Sequence, residues 1–262
     1  MSGLSEDLLE LAERAAVRAG RELLTRYGDA SGVSTKSSAT DPVSDADRAS
    51  EEVLVQTLLA ERPDDGLLGE EGADRPAVSG LRWVLDPLDG TVNYLYGFPA
   101  WCVSVACEDR TDGQWTGVVG VVHDPLRGET FTARRGEGAR LNGVSLRVND
   151  PVPLKAALIA TGFSYDADHR RRQAAVMADL VPNVRDIRRA GSAALDLCAV
   201  AAGRVDGYYE EIASRWDWAA GALIAVEAGA RFGRLPTPPE EPGVLAAGPA
   251  LAGALRAAVT RP

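Results

Sequence analysis

Apolar residues recur at the spacing of one helical face along the first 27 residues. These positions are Leu4, Leu8, Leu11, Ala15, Ala19, Leu23 and Tyr27. The pattern predicts an amphipathic helix that ends at Gly28. A loop or short hairpin is predicted over residues 31–43, followed by a second helix from Ser44 to about Ala60.

Strand-like runs dominate the next part of the chain. Short strands are predicted at Leu67–Leu68 and Trp83–Leu85, and the second is followed by a turn at Pro87–Gly90. Residues 101–148 contain apolar runs separated by Gly, Asp and Pro, as in WCVSVACE and WTGVVGVVHD. This spacing predicts an antiparallel meander.

From residue 154 onward, strands and helices alternate. The predicted order is strand 156–161, helix 168–181, strand 184–188, helix 192–202, strand 205–209, helix 215–229, strand 244–247 and helix 249–259. The whole pattern indicates a layered α+β fold with an antiparallel first half and an α/β second half. We therefore expect two units, residues 1–150 and 151–262, which meet near the soft segment 149–153.

Composition limits the range of partners. The chain has 262 residues, 45% of them hydrophobic, which is enough for a sizeable core. It carries 28 basic and 38 acidic residues, a formal charge of −10, which repels nucleic acid and anionic membranes. We expect neither as a partner. An anionic substrate would need a cation in the site, and a bound divalent metal would supply one.

The cysteines and the first helix bear on location. Cys102, Cys107 and Cys198 stand in apolar runs without a CxxC pair, which predicts buried free thiols in a reducing compartment. Charged residues throughout the first helix argue against a signal peptide, and no apolar run reaches the ~20 residues of a membrane span. We expect a cytoplasmic protein.

Four acidic clusters are the candidates for chemistry. They are Asp41, Asp45 and Asp47; Glu70 and Glu71; Asp86 and Asp89; and Asp217, preceded by Glu210 and Glu211. Each has an alternative interpretation without chemistry. Ser44 with Asp47 and Ser214 with Asp217 both fit the capping box that begins a helix, and the glutamate pair before Gly72 fits a solvated turn.

The third cluster is more specific. Asp86 comes at the C-terminal end of a buried strand, where open α/β sheets bind ligands. The predicted turn would point Asp86 and Asp89 toward one space, with the Leu88 carbonyl between them. If Thr91 begins a short helix, the N–H groups of Gly90 and Thr91 can hold an anion. These are the donors of a magnesium and phosphate site, and a polar β-turn is the alternative.

Other hydrolase signatures are missing from the sequence. It contains no G-x-S-x-G elbow, no Walker A loop and no H-E-x-x-H motif. His123 and His169 are isolated, which argues against a histidine triad or a zinc site. A carboxylate and metal mechanism is what remains for a hydrolase.

Three segments resemble the motifs of the inositol monophosphatase family. They are Gly69-Glu70-Glu71, Asp86-Pro87-Leu88-Asp89-Gly90-Thr91-Val92-Asn93 and Trp216-Asp217-Trp218-Ala219-Ala220-Gly221. Further matches are Lys36-Ser37-Ser38, Asp47, Gly191-Ser192-Ala193 and Asp206-Gly207-Tyr208-Tyr209-Glu210, so the resemblance covers nearly the whole chain. It implies a five-layer αβαβα sandwich and a lithium-sensitive phosphatase that uses two or three Mg²⁺ ions.

The resemblance also implies roles for single residues. The implied metal ligands are Glu70, Asp86, Asp89, Asp217 and the Leu88 carbonyl. Thr91, oriented by Asp47, would help to deprotonate a water bound between Glu70 and a metal. The implied substrate contacts are the Gly90 and Thr91 amides, for the phosphate, and Asp89, Ala193, Glu210 and Asp217.

Substrate and partner follow from the same resemblance. The Tyr208-Tyr209-Glu210 segment favours inositol 1-phosphate; histidinol phosphate, fructose 1,6-bisphosphate and phosphoadenosine phosphate stay as alternatives. A homodimer is implied, with the apolar segment 101–122 as a candidate interface. Outside the enzymes, the alternative is a regulatory protein that contacts transcription or translation machinery, which the acidic charge and the intact ligand set disfavour.

Overall fold

The computed structural model describes residues 2–28, 34–35, 42–211, 213–236 and 243–260. The α-helices within these ranges are α1 (Ser2–Arg26), α2 (Asp45–Glu61), α3 (Thr91–Leu95), α4 (Ala167–Leu180), α5 (Ala193–Ala201), α6 (Arg215–Glu227) and α7 (Pro249–Val259). The strands are β1 (Ser34–Thr35), β2 (Pro42–Val43), β3 (Gly66–Gly69), β4 (Asp74–Arg75), β5 (Leu81–Asp89), β6 (Cys102–Thr111), β7 (Gln114–Asp124), β8 (Glu129–Arg134), β9 (Ala139–Leu141), β10 (Val144–Ser145), β11 (Leu158–Thr161), β12 (Asp186–Arg188), β13 (Gly207–Glu210), β14 (Arg231–Arg234) and β15 (Val244–Ala247). Single 3₁₀ turns occur at Leu154–Ala156 and Val181–Asn183.

Two sheets organise the described residues. The first has eight strands in the order β10-β9-β8-β7-β6-β5-β3-β4, and every neighbouring pair is antiparallel except β3 and β5. The second has five strands in the order β12-β11-β13-β15-β14, in which β11 runs parallel to both neighbours. The predicted meander and the α/β second half are therefore confirmed. β1 and β2 pair separately, as two antiparallel strands.

Three apolar cores of the described residues join five layers, and the central core lies on both sides of the middle layer. Helices α1 and α2 pack on one face of the first sheet, α5 and α6 lie between the two sheets, and α4 and α7 cover the far face of the second sheet. The αβαβα sandwich that the resemblance implies is confirmed. Strands β3 to β10 precede residue 150 and β11 to β15 follow it, while the central core draws on both groups. The division into two units at this point stays a prediction.

The central strands are apolar on both sides because both of their faces are covered. On β5, Trp83 and Leu85 enter the core beneath α1 and α2, whereas Val84 enters the core between the sheets. On β6, Val103 and Val105 alternate in the same way with their neighbours. The cysteines in these runs and in α5 are buried and free, as predicted. None of the described helices is long and apolar enough to cross a membrane.

Two local predictions need correction. The first helix buries the predicted face from Leu8 to Leu23, but Leu4, in its first turn, is 49% exposed. The turn predicted at Pro87–Gly90 is wrong, since β5 continues to Asp89 and stays paired with β6 after its pairing with β3 ends at Leu85. An irregularity in that strand takes the place of the turn, and it shapes the site described next.

Candidate active site

A cavity of about 480 Å³ lies where β3, β5, β11 and β13 end. Its lining includes Glu70, Asp86, Leu88, Asp89, Gly90, Thr91, Ala193, Glu210 and Asp217. Asp47 does not line the cavity but accepts a hydrogen bond from Thr91. The structure thus brings the selected residues together. Of the remaining first-cluster residues, Asp45 pairs at the surface with Arg48, and Asp41 lies outside the described residues, as does the segment Lys36-Ser37-Ser38.

A β-bulge turns two carboxylates to the same face of β5. Asp86 lies opposite Ser104 on β6 and Asp89 lies opposite Cys102, so three steps along β5 match two steps along β6. Residues three apart on a regular strand face opposite sides of the sheet. The extra residue in the bulge restores the alignment, so that Asp86 and Asp89 both point into the cavity while the Leu88 side chain enters the core beneath α1 and α2.

Asp86 is the most deeply buried of these carboxylates, with 1% exposure. Its Oδ1 accepts a hydrogen bond of 3.0 Å from the Leu88 amide. Burial, followed by the charge of Glu70, raises the pKa of Asp86 well above its usual range, and the charges of Asp89 and Asp217 act in the same direction. Asp86 also shares a hydrogen bond with the Glu70 carboxyl. Such a group favours a bound proton or a bound cation.

Asp89 connects the first sheet to the start of α5. Its Oδ2 accepts hydrogen bonds from Ser192 Oγ at 2.6 Å and from the Ala194 amide at 2.7 Å, and its Oδ1 accepts a longer one of 3.3 Å from Ala193. Burial raises the pKa of Asp89 to about 6 although these hydrogen bonds act against the rise. Its Oδ1 is the less committed oxygen and the one better able to bind a cation.

Both predicted capping boxes are present, and neither excludes a role in the site. Asp217 Oδ2 accepts a 2.6 Å hydrogen bond from the Ser214 amide at the start of α6, while its side chain lines the cavity. Burial raises the pKa of Asp217 well above its usual range, and the charges of Glu70 and Asp89 add to the effect. The cap holds one oxygen of this carboxylate and so orients the group.

Thr91 begins the five-residue helix α3, as predicted. Its hydroxyl lies 2.9 Å from Asp47 Oδ1 and 3.1 Å from the Leu88 carbonyl oxygen. Asp47 is fully buried, and its other oxygen accepts the Ser44 amide at 2.8 Å in the capping box of α2. Gly90 precedes the helix with φ of 96°, in the left-handed region. The Thr91 hydroxyl is therefore held in place from two sides.

Another part of the cavity wall is built around Glu210 at the end of β13. Tyr208, which is fully buried, donates a 2.7 Å hydrogen bond to Glu210 Oε2. Burial raises the pKa of Glu210 to about 7, and the Tyr208 hydrogen bond and the charge of Arg189 oppose the rise. The backbone of Gly162 lies directly against this carboxylate, and any side chain at that position would collide with it.

Several residues that line the cavity were not predicted from the sequence. Among the described residues that line the cavity, Arg189 is the single Lys or Arg. Asp196 also lines it, and burial raises its pKa well above the usual range. One signal was available, because Asp196 is the lone charged residue of the otherwise apolar helix α5. The segment 161–166 carried no signal, since only the end of β11 brings it to the cavity.

Comparison with known proteins agrees with this geometry. A family model described as "Inositol monophosphatase family" matches residues 4–260. The chain belongs to the inositol monophosphatase family. Membership supports a phosphatase, and the resemblance noted in the sequence is confirmed.

Individual members of the inositol monophosphatase family are similar over most of the chain. A Mycobacterium tuberculosis protein named inositol-1-monophosphatase SuhB is 46% identical, over 95% of this chain and 90% of that protein. A Pasteurella multocida protein named Nus factor SuhB is 44% identical, over 85% and 83%. The crystal structure of extragenic suppressor protein suhB from Bartonella henselae matches with a TM-score of 0.90 and 36% identity, covering 97% of this chain and 99% of that one.

Proposed function

We propose that this chain hydrolyses inositol 1-phosphate, or a close inositol monophosphate, to inositol and phosphate with the help of magnesium. The observation that carries the proposal is the single cavity into which Glu70, Asp86, Asp89 and Asp217 all face. Asp86 and Asp217 have pKa values raised by burial and by the neighbouring carboxylates. Such a cluster is a poor place for a phosphate dianion unless cations are bound with it.

The donor set fits magnesium, which prefers carboxylate, carbonyl and water oxygens. Glu70, Asp86, Asp89, Asp217 and the Leu88 carbonyl would hold the ions. In the described residues, no three of the acidic side chains are already arranged to hold a metal ion. Binding would therefore involve small side-chain rotations. Bound magnesium would neutralise phosphate charge and lower the pKa of a coordinated water.

Thr91 is the proposed proton acceptor for the attacking water. Its hydroxyl proton has two acceptors, Asp47 Oδ1 and the Leu88 carbonyl, so its remaining lone pair is free to accept a hydrogen bond from a water. When that water loses a proton to Thr91 Oγ1, the threonine proton can pass to Asp47. Glu70, on the cavity wall, would orient the same water.

Two groups of cavity residues would hold the phosphate and the leaving alcohol of the substrate. The amides of Gly90 and Thr91, at the start of α3, would bind the phosphate. Glu210, fixed by Tyr208, would accept a hydroxyl of the leaving alcohol, and Ala193 and Asp89 would contact it from the start of α5. These assignments support an alcohol that carries several hydroxyl groups.

A phosphate-release panel tests the proposal. Inositol 1-phosphate, histidinol phosphate, fructose 1,6-bisphosphate and phosphoadenosine phosphate are each offered with magnesium and with excess chelator. We expect the highest kcat/KM with inositol 1-phosphate, and no release after chelation. Asp217→Asn, which keeps the capping oxygen, should remove most activity, whereas Asp168→Asn on the exposed surface should not.

Two results would contradict different parts of the proposal. Full release in excess chelator would exclude the metal, and a higher kcat/KM for another substrate of the panel would exclude inositol phosphate. Relatives named Nus factor raise a function outside catalysis, but the carboxylate cluster supports the phosphatase for this chain. Millimolar lithium inhibition, a homodimer and a cytoplasmic location stay predictions.

A further inference from the structure

Among the described residues, none pairs with the buried carboxyl group of Asp196. Its side chain is 5% exposed, and it lines the cavity from the first turns of α5. No described residue donates a hydrogen bond to its carboxylate or forms an ion pair with it. An unpaired polar group in such a place is destabilising, more so if it is charged, so a persistent one calls for a ligand or water partner.

The charges around Asp196 place it beside Glu210, the residue proposed to bind the leaving alcohol. The strongest acts from Glu210, followed by those of Asp89 and Arg189. Glu70, Asp86 and Asp217, three of the four proposed metal-binding carboxylates, are not among them. Arg189 lines the same part of the cavity but makes no hydrogen bond or ion pair with Asp196 within the described part of the chain. The Asp196 carboxylate therefore faces the space that the leaving alcohol would fill.

We propose that Asp196 is a specificity-determining residue, which accepts a hydrogen bond from a hydroxyl group of the leaving alcohol. The inference rests on the proposed function and extends it to a second hydroxyl acceptor beside Glu210. A carboxyl group offers an acceptor oxygen in either protonation state. Two separate acceptors on one small alcohol select a polyol, because an alcohol that lacks either hydroxyl leaves a buried acceptor unpaired.

The test compares two substrates that share a phosphate and differ in the leaving group. kcat/KM is measured for inositol 1-phosphate and for p-nitrophenyl phosphate, with wild-type protein, Asp196→Asn and Asp196→Leu. We expect both variants to lose about ten- to a hundredfold with inositol 1-phosphate, the leucine variant more, and to change little with p-nitrophenyl phosphate. Asp168→Asn, an exposed change of the same charge on α4, should alter neither value.

Two further readouts separate recognition from a structural role. Deoxyinositol phosphates, each lacking one hydroxyl, are compared as substrates of both proteins. We expect one of them to be a poor substrate for wild-type protein and no poorer for Asp196→Asn, because removing that hydroxyl and changing Asp196 remove the same interaction. The melting temperature of Asp196→Asn should equal or exceed that of wild type, since a buried charge has been removed. A lower melting temperature with equal loss on both substrates would show a structural role and overturn the inference.

The remaining outcomes are also decisive. If wild-type protein prefers inositol 1-phosphate and Asp196→Asn keeps that preference in full, the inference fails while the proposed function stands. If the variant loses only the use of an amine-bearing substrate such as histidinol phosphate, the ligand of Asp196 is an ammonium group and the hydroxyl assignment is overturned. If wild-type protein hydrolyses p-nitrophenyl phosphate but no polyol phosphate, the proposed substrate and this inference fail together.

Discussion

Without divalent metal, this protein should become more stable as the pH falls from about 8 to about 5.5. Asp86, Asp89, Asp217 and Glu210 all have folded-state pKa values above their ordinary ones, chiefly because they are buried. Between the unfolded and the folded pKa, the folded protein binds more protons than the unfolded chain. The free energy of unfolding therefore rises as the pH falls through the folded-state pKa. At a pH above that pKa the carboxylates are ionised in both states, and their destabilising effect on the folded protein is complete.

The size of the effect follows from the two groups with a defined pKa. Asp89 rises from 3.8 to about 6 and Glu210 from 4.5 to about 7. Between pH 8 and pH 5.5 they contribute about 1 and about 2 kcal/mol of added stability. His123 has the opposite effect, because burial lowers its pKa and favours its neutral form in the folded protein. It lowers the free energy of unfolding by up to about 1.4 kcal/mol as the pH falls below 6.5. The net of about 2 kcal/mol corresponds to about 4–8 °C in melting temperature.

The melting temperature is measured over this pH range by calorimetry or far-ultraviolet circular dichroism. Each measurement is made once with chelator and once with saturating magnesium. Magnesium should raise the melting temperature most at high pH, since protons and metal compete for the same carboxylates. Glu210→Gln should flatten the pH dependence, and the exposed Asp168→Asn should not. Two results would contradict the raised carboxylate pKa values. One is a melting temperature in chelator that falls steadily toward pH 5.5, and the other is a magnesium-induced rise in melting temperature that is equal at every pH.

Three substitutions give further predictions. Thr91→Ala should lower kcat by about 10²–10⁴-fold with little change in KM, while Thr91→Ser keeps most activity; an unchanged kcat in phosphate release would remove Thr91 from the chemistry. Gly90→Ala should lower the melting temperature, because φ is 96° and a Cβ would lie 2.8 Å from the Ala100 carbonyl oxygen; equal stability would contradict this geometry. Glu210→Gln should reduce kcat/KM for inositol 1-phosphate about ten- to a hundredfold and spare p-nitrophenyl phosphate; equal loss on both would place Glu210 with the metals or the fold.

Predictions that depended on neighbouring residues succeeded for the helices. The capping boxes at Ser44 and Ser214 are present, and the apolar face of α1 is buried from Leu8 onward. Each depends on residues within one or two helical turns, so the signal is complete in the local sequence. The turn predicted at Pro87–Gly90 was wrong because a proline and a glycine indicate a bend but not what flanks it. Pairing with β6 keeps β5 extended to Asp89, beyond the point at Leu85 where its pairing with β3 ends.

The residue types available for chemistry could be identified in the sequence alone. Closely spaced carboxylates, a glycine before a short helix and the near absence of histidine predicted a magnesium and phosphate site, because metal and phosphate each require particular donors, and the family resemblance then implied a phosphatase. The caps also placed Asp47 and Asp217 at helix starts, where their backbone surroundings hold them.

How these groups meet depends on contacts between segments that are distant in the sequence. The hydrogen bond between Ser192 and Asp89 joins residues 103 positions apart. Asp196 lines the cavity because α5 begins directly after Ser192. A bulge aligns Asp86 with Asp89, and a buried tyrosine fixes Glu210. Contacts between distant segments leave no periodic trace in a single chain, since they depend on how the layers pack and not on local spacing. For the same reason the raised pKa values arise only when folding removes these carboxylates from water.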